Sequence, residues 1–347
     1  MTGELLAALG SLGLLVAHLD TRDPRPHETV ARLDVRNVWL AVKHAWELER
    51  LLRRWRDAAV YIPISQSTLG YLRDAVLMGL ARLHRRRLYL HLHGADFRPF
   101  YDSTHPFMRW VIRVTLRSAY QLWILSLAIA PAFDGLMPRE RLRKLENVVP
   151  DGRPAPDPFS DRDEATDGVR ILYLGNQYNG KNCFDLLAAL SHLGPRASAW
   201  RVRIAGTSLS SVKPRLEGQI AHLRSRGIAV ETVGLVDREQ KRREFAWADI
   251  FAYPTQFDGQ PLVLLEALAA GLPIVSTRHG AIPDTLRDGR EALLVDPGDA
   301  AGLADALATL AADASLRRRL GAAARSRYEQ SYRPARLAED LARLLEE

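Results

Sequence analysis

The chain has 347 residues, 47% hydrophobic and 26% charged, a balance that fits two globular domains of ordinary size and excludes a disordered or fibrous protein. Its single cysteine, Cys183, excludes an internal disulfide and fits a reducing cytosol, and the longest apolar run near the middle, residues 122–130, is too short to span a bilayer. The net charge of +7 is lopsided, with 22 Lys and Arg against 14 Asp and Glu in residues 1–150 and 26 against 27 in the rest, which points either to an anionic partner for the first half or to arginine-rich solvated faces.

Residues 1–13 read as a helix and Leu14-Leu15-Val16-Ala17-His18 as a strand. Residues 37–56 predict an amphipathic helix, with Trp39, Val42, Trp46 and Leu52 interleaved with charge at near-helical spacing. Residues 58–64 read as a strand, 69–84 as a helix and 87–94 as a strand that ends in His93-Gly94-Ala95-Asp96. Strand alternating with helix implies parallel βαβ units, whose functional ends are the carboxyl ends of the strands. His91 and His93 share a strand face by period two. They lack further ligands at metal spacing, so no metal is expected there and His91 reads as structural.

Arg109, Arg113 and Arg117 recur every four residues through a helix that also holds Phe107, Trp110, Ile112 and Leu116. This is the pattern of an interfacial helix that binds anionic headgroups, with a solvated face as the alternative. Nothing resembles a nucleic-acid module, so a lipid surface is the favoured anionic partner and no nucleic acid is expected. Residues 121–125 read as another strand, with Ser126 opening the loop after it.

Residues 153–168 carry Pro154, Pro156, Pro158 and five acids, the composition of a hinge, and Asp161-Arg162-Asp163 inside it reads as solvated charge. Strands follow near residues 169–174, 201–205, 229–233, 249–253, 273–276 and 292–295, separated by helices. The expected plan is therefore a domain over 1–150, a hinge over 151–168, a second domain over 169–325 and a terminal helical segment over 326–347.

The second domain is organised around Phe257-Asp258-Gly259-Gln260-Pro261, which feeds a helix over 262–270 that Gly271 stops. Asp258 and Glu266, eight residues apart, lie at most about 12 Å apart along a helical path, the span from a ribose to the sugar across a diphosphate. Glu266 sits in an otherwise apolar helix, where a carboxylate is costly unless paired or bound to ligand. Asp258 has a second reading, as a cap for the helix that follows. Lys181 stands just before a helix start near Cys183, where the dipole disfavours a cation unless an anion binds, and Gly175 allows a close approach of backbone to ligand.

This segment resembles the E-x7-E signature of the retaining GT-B-fold glycosyltransferases of family 4, the group 1 transferases, with Asp258 in place of the first glutamate. Leu174-Gly175 to Lys181 resembles the diphosphate loop of that family, with Asn176 where an arginine is usual. Gly280-Ala281-Ile282-Pro283-Asp284 resembles the G-G-I-P-E loop, Leu294-Val295-Asp296-Pro297-Gly298-Asp299 the L-V-x-P-G-D motif, and Val148-Val149-Pro150-Asp151-Gly152 the strand-to-linker V-I-P-N-G. The resemblance covers residues 169–300 well and the first half weakly.

The resemblance implies an α/β fold of GT-B type, two Rossmann-like domains facing across a cleft, with the amino-terminal domain lacking its first strand and the last helix crossing back onto it after Tyr332-Arg333-Pro334. It implies a nucleotide-sugar donor held by Gly175, Asn176, Lys181, Gly259, Gly280 and Ala281, with Glu266 on the ribose hydroxyls. Asp258 would contact the donor sugar, and His93 would face it as the cleft histidine, which makes His93, Asp258 and Glu266 the catalytic set. Neither a cofactor nor a metal is implied. The activity implied is retaining, metal-independent hexosyl transfer to a growing glycan, in the form of a lipid-linked exopolysaccharide or lipopolysaccharide precursor, by a cytoplasmic protein peripheral on the inner face of the cell membrane. The alternative is a non-catalytic or truncated GT-B homologue that binds nucleotide or glycan as a partner subunit, which Asn176, Asp258 and the missing strand favour.

Overall fold

A computed structural model describes residues 2–21, 35–152, 168–177 and 183–346. The expected hinge residues 153–167, with Asp161 and Asp163, and the expected diphosphate ligand Lys181 lie outside the described residues. The chain divides into two compact units, one of Thr2–Glu146 with Ala338–Glu347 and one of Asn147–Leu337. Both are α/β with an all-parallel sheet.

In the amino-terminal unit, α1 (Thr2–Ser11) and α2 (Val35–Arg54) precede β1 (Val60–Ile64), α3 (Thr68–Leu83), β2 (Leu88–Leu92), α4 (Phe97–Ser103), α5 (Pro106–Ser118), β3 (Gln121–Ile124) and β4 (Leu142–Lys144). The sheet order is β1-β2-β3-β4. All residues of β2 and β3 are buried, as the inner strands of a sheet covered on both faces require. Pro63, which has no amide to donate, sits in the edge strand β1. Ile62, Leu90 and Leu122 line up across the sheet and pack with Met78 of α3 and Ile112 of α5 in one core.

Two expectations for this unit are corrected. Residues 14–18 form no strand: they have no ladder partner among the described residues, and Leu15 is 85% exposed. An apolar run becomes a strand only where a sheet edge meets its backbone, and none does here. In the other direction, β4 was not anticipated from Leu142-Arg143-Lys144, because three residues with two charges carry no strand signal. It forms because Leu122 and Leu142 come into register.

The arginines of α5, read as headgroup ligands or as a solvated face, make hydrogen bonds within the unit. Arg109 donates to the Thr104 and Asp102 carbonyls, Arg113 to the Tyr101 hydroxyl at 2.6 Å, and Arg117 to the Gly135 carbonyl. Phe107, Trp110 and Val114 are exposed on the same helix, alongside Arg113 and Arg117.

Burial holds His91 well below the ordinary histidine range, with His93 beside it adding to the effect, and burial followed by Arg73 lowers His44. The unfolded chain takes up these protons near pH 6.5 and the folded chain only at lower pH, so this contribution is complete above about pH 6.5 and is lost as pH falls toward the folded values. Unfolding free energies from denaturant titrations between pH 7 and 5 are expected to fall with acid at up to about 1.4 kcal/mol per pH unit for each proton, and His91→Gln is expected to flatten that slope. An unchanged slope in the variant would assign the acid sensitivity elsewhere.

The second unit contains β5 (Arg170–Leu174), α6 (Cys183–Leu193), β6 (Arg201–Ala205), α7 (Lys213–Ser225), β7 (Ala229–Gly234), α8 (Arg238–Trp247), β8 (Ile250–Tyr253), α9 (Leu262–Ala270), β9 (Ile274–Thr277), α10 (Ile282–Thr285), β10 (Ala292–Val295), α11 (Ala300–Ala312) and α12 (Ala314–Ser331). A last helix, α13 (Pro334–Glu346), follows. The sheet order is β10-β9-β8-β5-β6-β7. The chain winds outward from β5 through β6 and β7, then returns to β8 and winds the other way. Right-handed crossovers therefore put the helices of the two halves on opposite faces. Helix α6 packs with α11 and α9 with α12, closing a core that includes Ile171, Ile204, Phe251, Leu265, Ile274 and Leu307.

Candidate functional site

The reversal of winding falls between β5 and β8, and in a doubly wound sheet the crevice at the carboxyl ends of such a strand pair is where ligands bind. The residues that leave β5 there are Gly175, Asn176 and Gln177, and those that leave β8 run from Pro254 to Gln260. A Cβ on Gly175 would lie 3.0 Å from the Tyr253 ring and 3.2 Å from the Tyr173 hydroxyl, so a larger residue would have to push these rings aside for the β5 loop to pass that close to β8. The rings of Tyr173 and Tyr253 stack beneath it, 5.5 Å apart.

Asp258 is fixed by this floor. Its Oδ2 accepts from the Tyr253 hydroxyl and from Thr255 Oγ1, both at 2.9 Å. It caps no helix: the residue before α9 is Pro261, with no side-chain cap bond. Burial raises the hydroxyls of Tyr173 and Tyr253 far above their usual range, so both stay protonated, and Tyr253 is the donor to Asp258. Behind them burial pushes the Cys183 thiol up to about 12, which leaves it inert.

The loops that follow β8 and β9 are joined. The Ala281 amide donates to the Gly259 carbonyl at 2.8 Å, beside Gly280 at a φ of 57°. Gly175, Asp258, Gly259, Gly280 and Ala281 are thus brought to one end of the sheet. The amide of Ala281, expected as a donor to ligand, serves this turn in the structure. Asn176 is likewise engaged: its Oδ1 accepts from Thr207 Oγ1 at 2.9 Å, tying the β5 loop to the loop after β6.

Glu266 lies in the second turn of α9, and it is not the unpaired carboxylate that its apolar neighbours suggested. Lys241 of α8 reaches Glu266 Oε1 at 2.5 Å. The other oxygen, Oε2, is buried and has no hydrogen-bond partner among the described residues. An acid with one oxygen held by a cation and the other vacant is set to accept hydroxyl donors. Sequence spacing had no means of finding Lys241, which sits 25 residues upstream on a separate helix. A second feature that it missed is the clamp of Gln260, whose side chain accepts from the Asn147 amide at 2.8 Å and donates to Thr285 at 2.9 Å, fixing the start of α9.

His93 belongs to the amino-terminal unit, at the carboxyl end of β2, with its ring 4.0 Å from that of His91. His91 is fully buried, and its Nδ1 faces the Tyr61 hydroxyl at 2.9 Å, a structural setting. Among the described residues no group of three or more His, Cys, Asp or Glu could hold a metal ion. No described helix is long and apolar enough to cross a membrane.

Two parallel-sheet units, one of them doubly wound with its switch point at Gly175 and Asp258, make this the fold of the GT-B glycosyltransferases. The structure of HepE from Anabaena in complex with UDP superposes with a TM-score of 0.72 at 18% identity, over 86% of this chain and 81% of that one. Residues 168–313 match the family model described as Glycosyl transferases group 1. Similar proteins include the sulfoquinovosyl transferase SQD2 of Arabidopsis thaliana, 33% identical over 107 residues, or 30% of this chain and 21% of that protein. Glycogen synthase of Mycobacterium tuberculosis is 28% identical over 177 residues, 50% of this chain and 42% of that protein. The chain thus matches less than half the length of either relative.

Proposed function

We propose that the protein transfers a hexosyl group, with retention and without a metal, from a nucleotide-sugar to a growing glycan, the acceptor being a lipid-linked polysaccharide precursor at an anionic membrane surface. The observation that carries this reading is Glu266, a helix-borne acid with one oxygen paired to Lys241 and one buried and vacant, in a group 1 transferase region. Glu266 accepts the ribose hydroxyls, Asp258 accepts hydroxyls of the donor sugar, and the diphosphate lies along the Gly175 loop with Lys181 as its cation and Gly280 beside it. The complex of HepE with UDP, on the same fold, supports a uridine diphosphate donor. In the transfer, the bond from C1 to the diphosphate oxygen breaks and a bond from C1 to the acceptor hydroxyl forms on the same face. The acceptor proton passes to the departing phosphate oxygen, whose charge is stabilised by backbone amides and Lys181. His93 is assigned to the sugar by the family resemblance alone.

A second reading is favoured by Asn176, which replaces a cation and is tied to Thr207: a homologue that binds nucleotide or glycan without transferring. One experiment addresses both. A panel of UDP-, GDP-, ADP- and TDP-sugars is expected to raise the melting temperature for one base, by the equivalent of about 2.7 kcal/mol at a hundredfold excess over Kd. The stabilising sugar is then expected to be hydrolysed or transferred, equally with and without EDTA. Stabilisation without turnover selects the binding-only reading, and no stabilisation by any donor sinks both.

A further inference from the structure

We propose that the outer faces of α2, α3 and α5 form the surface by which this chain lies on an anionic lipid bilayer. This deepens the reading of a membrane-borne acceptor by naming where the protein meets the membrane, and it rests on that reading for its purpose. Helix α3 packs against α2 and against α5, so the three lie side by side on the amino-terminal unit. Each buries one face and leaves an apolar outer stripe. On α2 the stripe includes Trp39 and Trp46, 59% and 62% exposed, while His44, Leu48 and Leu52 face inward. On α3 it is Leu72 and Val76, four residues apart, and on α5 it is Phe107 and Trp110, whose rings stack at 6.0 Å. A monomer in water gains nothing from presenting three such stripes together.

The chemistry around the stripes selects the occupant. The rings are tryptophan and phenylalanine, the side chains that settle at the headgroup level of a bilayer. The charges beside them are cationic. Lys43 lies over the Trp39 ring at 5.6 Å and Arg50 over Trp46 at 5.9 Å. Arg98, which is paired with Asp102, and Arg109 and Arg113 crowd the Tyr101 ring at 5.7 to 6.0 Å, next to the α5 stripe. The acids of the three helices are each matched by a base: Glu47 by Lys43, Glu49 by Arg53 and His84, and buried Asp74 by Arg73. Helix α5 has no acid. Aromatic anchors with a net cationic rim match an anionic membrane, whereas a second copy of this chain would bring like charge to like.

The test uses the full chain with vesicles of phosphatidylcholine, with and without phosphatidylglycerol. The protein is expected to pellet with the anionic vesicles at low salt, less at high salt, and its tryptophan emission to shift to the blue, a readout that needs no variant. Trp39→Glu with Trp46→Glu, and separately Phe107→Glu with Trp110→Glu, are each expected to weaken partitioning by at least about tenfold, since each pair removes two rings from the interface. Both variants are expected to keep the thermal stabilisation by donor that the unmodified chain shows. Absence of pelleting at low salt, variants that pellet like the parent, or a dimer in solution that the same variants dissociate would each overturn the proposal. Vesicle binding without donor stabilisation would leave it standing and sink the transferase reading alone.

Discussion

Glu266→Gln is expected to raise the KM for the nucleotide-sugar by roughly 10- to 100-fold while leaving kcat nearly unchanged. A hydrogen bond to a charged group contributes about 1.5–3 kcal/mol, and each 1.4 kcal/mol is about tenfold in affinity. The ribose is remote from the reacting carbon, so its contacts act alike on ground and transition states and appear in KM. Lys241→Met tests what the ion pair does. If Lys241 orients Glu266 toward the ribose, donor binding weakens in this variant, and the double variant loses less than the sum of the two losses. If Lys241 competes with the ribose for the acid, donor binding tightens. Isothermal titration with the nucleoside diphosphate reads all four corners of the cycle, and an affinity for Glu266→Gln within twofold of the parent would remove the acid from the site. The pair is part-exposed, at 29% for Lys241 and 21% for Glu266, so its loss is expected to change stability by less than about 1 kcal/mol and the binding effect is separable from folding.

Gly206→Ala is expected to have the largest effect on stability. Gly206 follows β6 with a φ of 129°, a conformation open to glycine, and its amide donates to the Gly234 carbonyl at 2.7 Å. A Cβ there would stand 2.2 Å from the Gly175 carbonyl oxygen, a backbone atom that cannot swing aside. Strain and displacement together are expected to cost about 3 kcal/mol or more. For a unit of this size that lowers Tm by about 6–12 °C. Because the atom in the way belongs to the β5 loop, the same variant is expected to weaken donor binding. A thermal melt within about 2 °C of the parent would show that the loops separate more freely than their geometry states.

Much of the second unit could be read from the chain. Strands β5 to β10 were each expected within a residue or two of where they lie, because β5, β8, β9 and β10 are short, mostly buried apolar runs and β6 and β7 carry their apolar residues between turn residues. Helix α9 begins after Pro261 and ends at Gly271 in the left-handed conformation, as the residue types imply. The first unit was less legible. An apolar run at 14–18 has the composition of a strand and no ladder to join, whereas Leu142-Arg143-Lys144 has the ladder and lacks the composition. The α5 arginines were correctly placed on a helix, but their guanidinium groups reach Tyr101 and nearby carbonyls, and side-chain reach is invisible in a four-residue period.

The sequence by itself determined the parallel α/β architecture, the loop-helix that carries Asp258 and Glu266, and the turn at Gly280 and Ala281, since propensity, apolar period and glycine placement act over neighbouring residues. Only the tertiary structure decided which partners those groups hold. Lys241 reaches Glu266 from another helix, Tyr253 and Thr255 converge on Asp258, Thr207 occupies Asn176, and the Gly259 carbonyl takes the Ala281 amide. The reason is the order of the sheet: by setting β5 beside β8 it brings together loops far apart in the chain, and the pairing of polar groups there depends on distances in space that no local pattern encodes.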